Sequence, residues 1–204
     1  EPVDPKALSA ILRAARDTEQ GTVVNFLILR SMAKAKYQPD NIGHFGLALR
    51  DYSQFTSPIR RYPDLMIHRI MSEAIAGARS GDLHERYDSF VEEASASSSE
   101  AELRAMNIER DCDDRYKAEY IAGHLGERYT GTVSGATNFG IYVSLENTVD
   151  GLIRIADLGE GFAFDGAISV VNTTTGVRYR IGDRVDVLVV AADISTGRVT
   201  FSLA

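Results

Sequence analysis

The sequence predicts an α+β chain, mainly helical over residues 1–125 and closing into a five-stranded β-barrel over residues 126–204. Three observations predict it. Apolar residues recur at spacings of three and four in the first stretch, the period changes to two after Arg128, and Gly123 and Gly126 stand at the change. With 204 residues, 44% of them hydrophobic, the chain suits one large domain or two small ones with an ordinary buried core.

Asp4 can cap a first helix with Pro5 at its first position and Leu8, Ile11, Leu12 and Ala15 along one face. Gly21 and Thr22 supply a stop and a new cap, and Val23, Phe26, Leu27 and Ile28 mark a second helix. Tyr37-Gln38-Pro39-Asp40-Asn41 is turn chemistry, and the apolar run His44 to Leu49 is consistent with a short buried strand. Ser57 can cap a further helix with Pro58 at its first position. Pro63 would then sit inside that helix and remove a backbone bond to Ile59, so a kink or a staggered start is expected. Residues 77–98, rich in Gly, Ser and Glu, read as a solvated excursion, and Ser99-Glu100-Ala101-Glu102 as a capping box. Beyond it Ala105, Ile108, Cys112, Tyr116 and Tyr120 form an apolar stripe on a long helix. In the second stretch Ile141, Val143 and Leu145 alternate with Tyr142 and Ser144. Val185, Val187 and Val189, then Val199, Phe201 and Leu203, repeat the pattern.

The single cysteine, Cys112, excludes an internal disulfide framework and a cysteine-based zinc site, and agrees with a reducing cytoplasm. No apolar run approaches the roughly 20 residues that span a bilayer, so no membrane partner is expected. Glu1-Pro2-Val3-Asp4 is no signal peptide, and a start without methionine suggests a piece of something longer. The net charge of −7 weighs against indiscriminate nucleic-acid binding but leaves room for a local basic groove.

Two constellations carry chemistry. Arg60 and Arg61 adjoin in a turn with Thr56, Ser57 and Tyr62, offering planar guanidinium forks and neutral donors to a phosphate; a helix start with two solvated arginines is the other reading. Both arginines lie within about two turns of a helix N-terminus, which also attracts phosphate. In the barrel Tyr142 has the parity opposite to Ile141 and Val143 and so faces outward, beside Phe139 at a Phe-Gly bend. Such a pair can stack on bases, or Phe139 can pack the rim with Tyr142 an ordinary exposed residue.

The run His44-Phe45-Gly46-Leu47-Ala48-Leu49, Tyr52, Phe55-Thr56-Ser57-Pro58-Ile59-Arg60-Arg61-Tyr62-Pro63-Asp64-Leu65 and His68-Arg69 closely resembles the signature of the ribonuclease II and ribonuclease R family of exoribonucleases. Tyr129 to Val133, Asn138 to Val143, Asp150 to Ile153 and Gly182 to Val185 resemble the OB-fold RNA-binding domain of the ribosomal-protein-S-one type, a barrel that holds single strands. Residues 166–183 are similar to the extra hairpin of the ribonuclease R branch, with Arg178 and Arg180 sharing a parity as a solvated or weakly basic edge. The resemblance implies residues 1–125 as the C-terminal part of a nuclease domain and residues 126–204 as the OB-fold domain. It further implies a processive 3′→5′ exoribonuclease that hydrolyses single-stranded RNA to nucleoside 5′-monophosphates.

Arg60 matches the family's catalytic arginine and Glu109 a glutamate near the RNA 3′ end. Arg61, Thr56, Ser57, Tyr62, Phe139, Tyr142 and Arg154 are the expected RNA contacts, Arg61 being open to a structural ion pair as well. Arg154 stands where relatives usually have histidine, and so does Gln54 in many of them. His44 and His68 match, and in apolar surroundings each reads first as a hydrogen-bonded core residue. The family works with Mg²⁺ held by clustered aspartates, and chemistry of this kind sets ions about 4 Å apart. Asp111, Asp113 and Asp114 splay around a helix instead of converging. The metal ligands and the rest of the nuclease domain are therefore expected upstream of Glu1, leaving these residues inactive alone. A non-catalytic single-stranded RNA-binding module is the rival reading, and a purely structural assembly domain explains neither the arginines nor the aromatic pair.

Overall fold

A computed structural model of the chain describes residues 4–18 and 21–204. Residues 1–3, read as no signal peptide, lie outside it, as does the side chain of Thr22, expected to cap the second helix. The chain forms two compact units, Glu1–Arg16 with Leu29–Met106, and Asp17–Ile28 with Asn107–Ala204.

Helix α1, Pro5–Ala15, starts as its sequence dictates: Asp4 accepts the Lys6 amide at 3.0 Å and Pro5 fills a position whose N–H would have no partner. Helix α2 is Gly21–Ser31. The apolar run 44–49 is an exposed loop and no buried strand. His44 and Leu49 exchange backbone hydrogen bonds of 2.9 and 3.2 Å around a 3-10 turn at Phe45–Leu47. Nδ1 of His44 accepts the Leu47 amide at 3.0 Å, a local bond that competes with extended pairing.

Helix α3, Tyr62–Ile75, resolves the conflict over Pro63 by starting late. Ser57 does not cap it; the Ser57 carbonyl instead accepts the amides of Arg60 at 3.2 Å and Arg61 at 3.0 Å, making a turn that ends in Arg61 as the extended N-cap. Pro63 then lies in the first helical turn, where no backbone bond is lost.

Helix α4, Ser80–Ala122, overturns the solvated excursion. Between these residues there is no proline and one glycine, Gly81 near the start, so nothing forces a break. The supposed capping box lies inside this helix: the Ser99 hydroxyl accepts the Tyr37 amide at 3.0 Å and donates to the Tyr37 carbonyl at 3.1 Å. The stripe through Ile108, Cys112, Tyr116 and Tyr120 is exposed; Ala118 and Ile121, on another face, are the buried positions. Among the described residues no helix is long and apolar enough to cross a membrane.

The second unit closes a five-stranded barrel in the order β1-β2-β3-β8-β7. Its strands are β1 (Arg128–Thr137), β2 (Gly140–Leu145), β3 (Asp150–Arg154), β7 (Arg184–Asp193) and β8 (Arg198–Leu203). Helical region and barrel together make the α+β class that the sequence predicts. Val133 pairs with Val143, Ile141 with Ile153 and Val189 with Phe201, so the alternating residues point inward together, joined by Ala118 and Ile121 of α4. Gly151 is required here, because a Cβ at that position would collide with the buried Phe201 ring. Between β3 and β7 the expected hairpin gains a third strand: β4 (Phe162–Phe164), β5 (Ser169–Asn172) and β6 (Arg178–Arg180) form a separate sheet.

Candidate functional site

In the first unit the arginine turn is built around Asp64. This carboxylate, in the first turn of α3, is fully buried. Its Oδ2 accepts the Ser57 amide at 2.7 Å, Arg61 Nε at 3.1 Å and Arg61 Nη2 at 2.8 Å, whereas Oδ1 is buried with no hydrogen-bond partner. The side chain of Arg61 is only 19% exposed. Arg60 is exposed, and among the described residues no ion pair holds it. Thr56 and Tyr62 are exposed on the same turn, Ser57 is half-buried, and Ile59 projects fully into solvent. Half-buried Tyr37 lies within electrostatic reach of these groups. Burial pushes its phenol above the usual 10.0, Glu102 adds to the effect, and Arg61 pulls the other way.

The histidines are structural ties. His44 sets its ring edge-on to Tyr52 at 4.6 Å, and His68 Nε2 donates to the Phe55 carbonyl at 2.8 Å. His68 is exposed, not a core residue. Gln54 is exposed.

In the second unit Phe139 is 66% exposed and Tyr142 39%, while Ile141 and Val143 between and beside them are sealed in the core. Tyr142 pairs with Leu152, and Gly140 pairs with Arg154, so Tyr142 and Arg154 share the outer face of β2 and β3. The Ile155 amide donates to the Phe139 carbonyl at 2.8 Å and ties the Phe-Gly bend to the end of β3. Arg154 is tethered, its Nε donating to Asp157 at 2.8 Å with 63% of its side chain exposed. Tyr142 and Arg154 thus share one outer face of the barrel, and the exposed Phe139 stands at the bend that leads into β2. Arg178 and Arg180 are exposed on β6, Arg180 lying 3.6 Å from Asp183. Glu109 is exposed on α4 within the second unit. Among the described residues no group of three or more His, Cys, Asp or Glu is placed to hold a metal ion.

Asp64, Tyr37 and Ser99 are the residues that reading the sequence for chemistry passes over. Asp64 had one visible signal, its place three residues after Arg61 at the start of a helix, where an i,i+3 ion pair is geometrically open. The Tyr37 to Ser99 tie spans 62 residues and had none.

Residues 1–77 match the RNB domain, and residues 124–204 match the S1 RNA binding domain. Ribonuclease R 1 of Lactococcus lactis subsp. lactis is 36% identical over 201 residues, covering 98% of this chain and 25% of its own length. Ribonuclease R of Aquifex aeolicus is 41% identical over 202 residues, again over 98% of this chain and 28% of its own. The apo form of Mycoplasma genitalium RNase R matches with a TM-score of 0.88 at 26% identity, covering 100% of this chain and 32% of that one. The same protein solved in complex with ribose methylated single-stranded RNA gives the same values. The chain therefore joins RNB-domain sequence to an S1 domain. It is similar along nearly its whole length to ribonucleases R and spans between a quarter and a third of the length of these relatives.

Proposed function

We propose that the chain is part of a processive 3′→5′ exoribonuclease that hydrolyses single-stranded RNA to nucleoside 5′-monophosphates. The observation that carries this reading is the exposed Arg60, held by no ion pair among the described residues, on a turn fixed by Asp64, in a chain whose relatives are ribonucleases R. A guanidinium held on a fixed turn but free at its tip suits a group whose task is to meet charge developing on a phosphoryl oxygen. Glu109 takes the position near the 3′ nucleotide. Thr56, Ser57 and Tyr62 add neutral donors, and Phe139, Tyr142 and Arg154 hold the strand on the barrel.

Mg²⁺ enters this reading only as an ion bound by carboxylates upstream of Glu1, and the cytoplasm is its setting. The preceding part of the nuclease domain is the proposed partner. The first unit supports it by leaving Ile59, Ile75 and Ile42 exposed at 101%, 82% and 77%, apolar surface that such a neighbour would cover. Alone, the chain binds single-stranded RNA weakly and does not release mononucleotides with Mg²⁺. The test is filter binding and product analysis on the purified chain. Phe139→Ala with Tyr142→Ala weakens binding by a few kcal/mol, taking about 1–3 kcal/mol for each stacked base. Unchanged affinity would remove the stacking platform, and robust mononucleotide release would overturn the division of labour.

A further inference from the structure

We propose that Asp64 is a positioning residue that separates the roles of two adjacent arginines, capturing Arg61 as an internal strut and leaving Arg60 as the free phosphate-facing group. The inference rests on the nuclease reading above. It concerns what keeps two chemically equal neighbours in different roles, a division in which the resemblance singles out Arg60 without a physical cause.

A fully buried carboxylate is tolerated only when charge and hydrogen bonds compensate it, and here the compensation is confined to Oδ2, which gathers Ser57 N, Arg61 Nε and Arg61 Nη2. Drawing Arg61 toward an RNA phosphate would leave that charge buried and without its cation. Arg61 is therefore committed inside the unit. The same oxygen clamps the turn at both ends, because the Ser57 amide binds it while the Ser57 carbonyl accepts the amides of Arg60 and Arg61. Arg60 then has a backbone fixed on each side and a side chain that, among the described residues, makes no hydrogen bond or ion pair and has only the Tyr37 phenol within electrostatic reach. A transition-state stabiliser needs that combination, since a donor already in place requires no reorganisation as charge builds. Acting through Arg61 and the turn, Asp64 touches no substrate.

The test uses the full-length ribonuclease that the reading implies, with single-turnover degradation of 3′-labelled single-stranded RNA and filter binding measured in parallel. Arg60→Ala is the control, expected to slow turnover on the order of a hundredfold. Asp64→Asn should slow it about tenfold or more while RNA affinity stays within about twofold, because orientation is lost and not a contact. Arg61→Lys keeps a cation beside Asp64 but loses the fork, and should show the same split. Combining the two changes should cost no more than either alone, as expected of groups acting as one unit. Asp64→Glu, which keeps the carboxylate, should recover part of the rate.

Near-normal turnover in Asp64→Asn, losses that multiply in the double variant, or a loss carried by affinity would overturn the proposal. Should Asp64→Asn fail to fold, Arg61→Lys decides by the same criteria. If Arg60→Ala alone slows turnover, the positioning role falls and the nuclease reading stands; if Arg60→Ala is harmless, that reading falls with it.

Discussion

In the barrel unit Val133, Ile141, Val143, Ile153, Val187, Val189 and Phe201 close a continuous apolar core, whereas in the helical unit Met66 is the one buried apolar side chain among the described residues. The helical unit is tied instead by polar contacts: Ser99 to the Tyr37 backbone, Tyr87 and Arg86 to Glu73 at 2.6 Å each, and Asp64 to Arg61. The difference teaches how each part of the chain is specified. A barrel draws its stability from area it buries itself, while the helical unit presents apolar surface outward and keeps its local geometry through hydrogen bonds at chosen points.

The largest expected effect tests the barrel side of this comparison. Phe201→Ala removes a fully buried ring and should cost about 3–5 kcal/mol, read by denaturant unfolding followed at the amides of Val187 and Val189. Met66→Ala, in a unit with little core around it, should cost less than half as much in its own unit. Equal losses would break the comparison.

A smaller effect tests the polar side. Ser99→Ala takes away both bonds to the Tyr37 backbone and should destabilise the helical unit by about 1–2 kcal/mol, at roughly 0.5–1.5 kcal/mol for each bond. Tyr37 reports the change. Its phenol ionises above 10.0 because burial disfavours the phenolate, so its contribution to stability is present below about pH 10 and is lost as the pH rises through the folded value. Tyr87 and Tyr129, which donate to Glu73 and Glu127, are raised as well, so the titration is followed at the Tyr37 ring itself, whose ionisation should return toward the ordinary value in Ser99→Ala while the other two stay high. A phenol that stays high would mean that the Tyr37 pocket stands without its tie to α4.

The same contrast explains what could be read from sequence. The barrel was legible because alternation along β2, β7 and β8 is both the local pattern and the tertiary requirement: Ile141, Val143, Val187 and Phe201 are inward for the reason that makes them alternate. In the helical unit the two came apart. Ser99 looks like a cap because hydroxyls compete for nearby backbone, yet it binds backbone 62 residues away inside a continuous helix. The same separation holds on the stretch of α4 that belongs to the barrel unit, where Ile108, Tyr116 and Tyr120 keep helical spacing but are exposed, so period alone did not identify the buried face. The arginine turn was legible as a phosphate-binding constellation. The resemblance set Arg60 apart as the catalytic arginine and left Arg61 open to an ion pair, but the part of Asp64 in that division was not legible, because it depends on Asp64 being buried, and burial is a property of the fold.

The smallest expected effect sharpens the comparison from within the barrel unit, which has polar ties of its own. Asp165 accepts the Ser169 hydroxyl at 2.5 Å and the amides of Ala167, Ile168 and Ser169 at 2.9 to 3.1 Å, closing the turn between β4 and β5. These bonds favour the carboxylate, the Ser169 hydroxyl most of all, and lower its pKa from 3.8 to about 2. Asp193, bound by Ser195 and Thr196 between β7 and β8, is lowered to about 2 in the same way. A carboxylate depressed in the folded state stabilises above its unfolded pKa, and that contribution fades as the pH falls from 3.8 through about 2. Acid should therefore loosen the two turns over this window while the apolar barrel core, which carries no proton, persists. Protection of the amides at residues 167–169 and 195–196, taken relative to the intrinsic exchange rate at each pH, should be lost together on acidification, well ahead of protection at Val143 and Val187. In Asp165→Ala the first turn should already exchange fast at neutral pH and show no acid step, with the step at Asp193 unchanged. Barrel-core amides that open along with the turns would show that these surface carboxylates, and not the buried side chains alone, hold the strands closed.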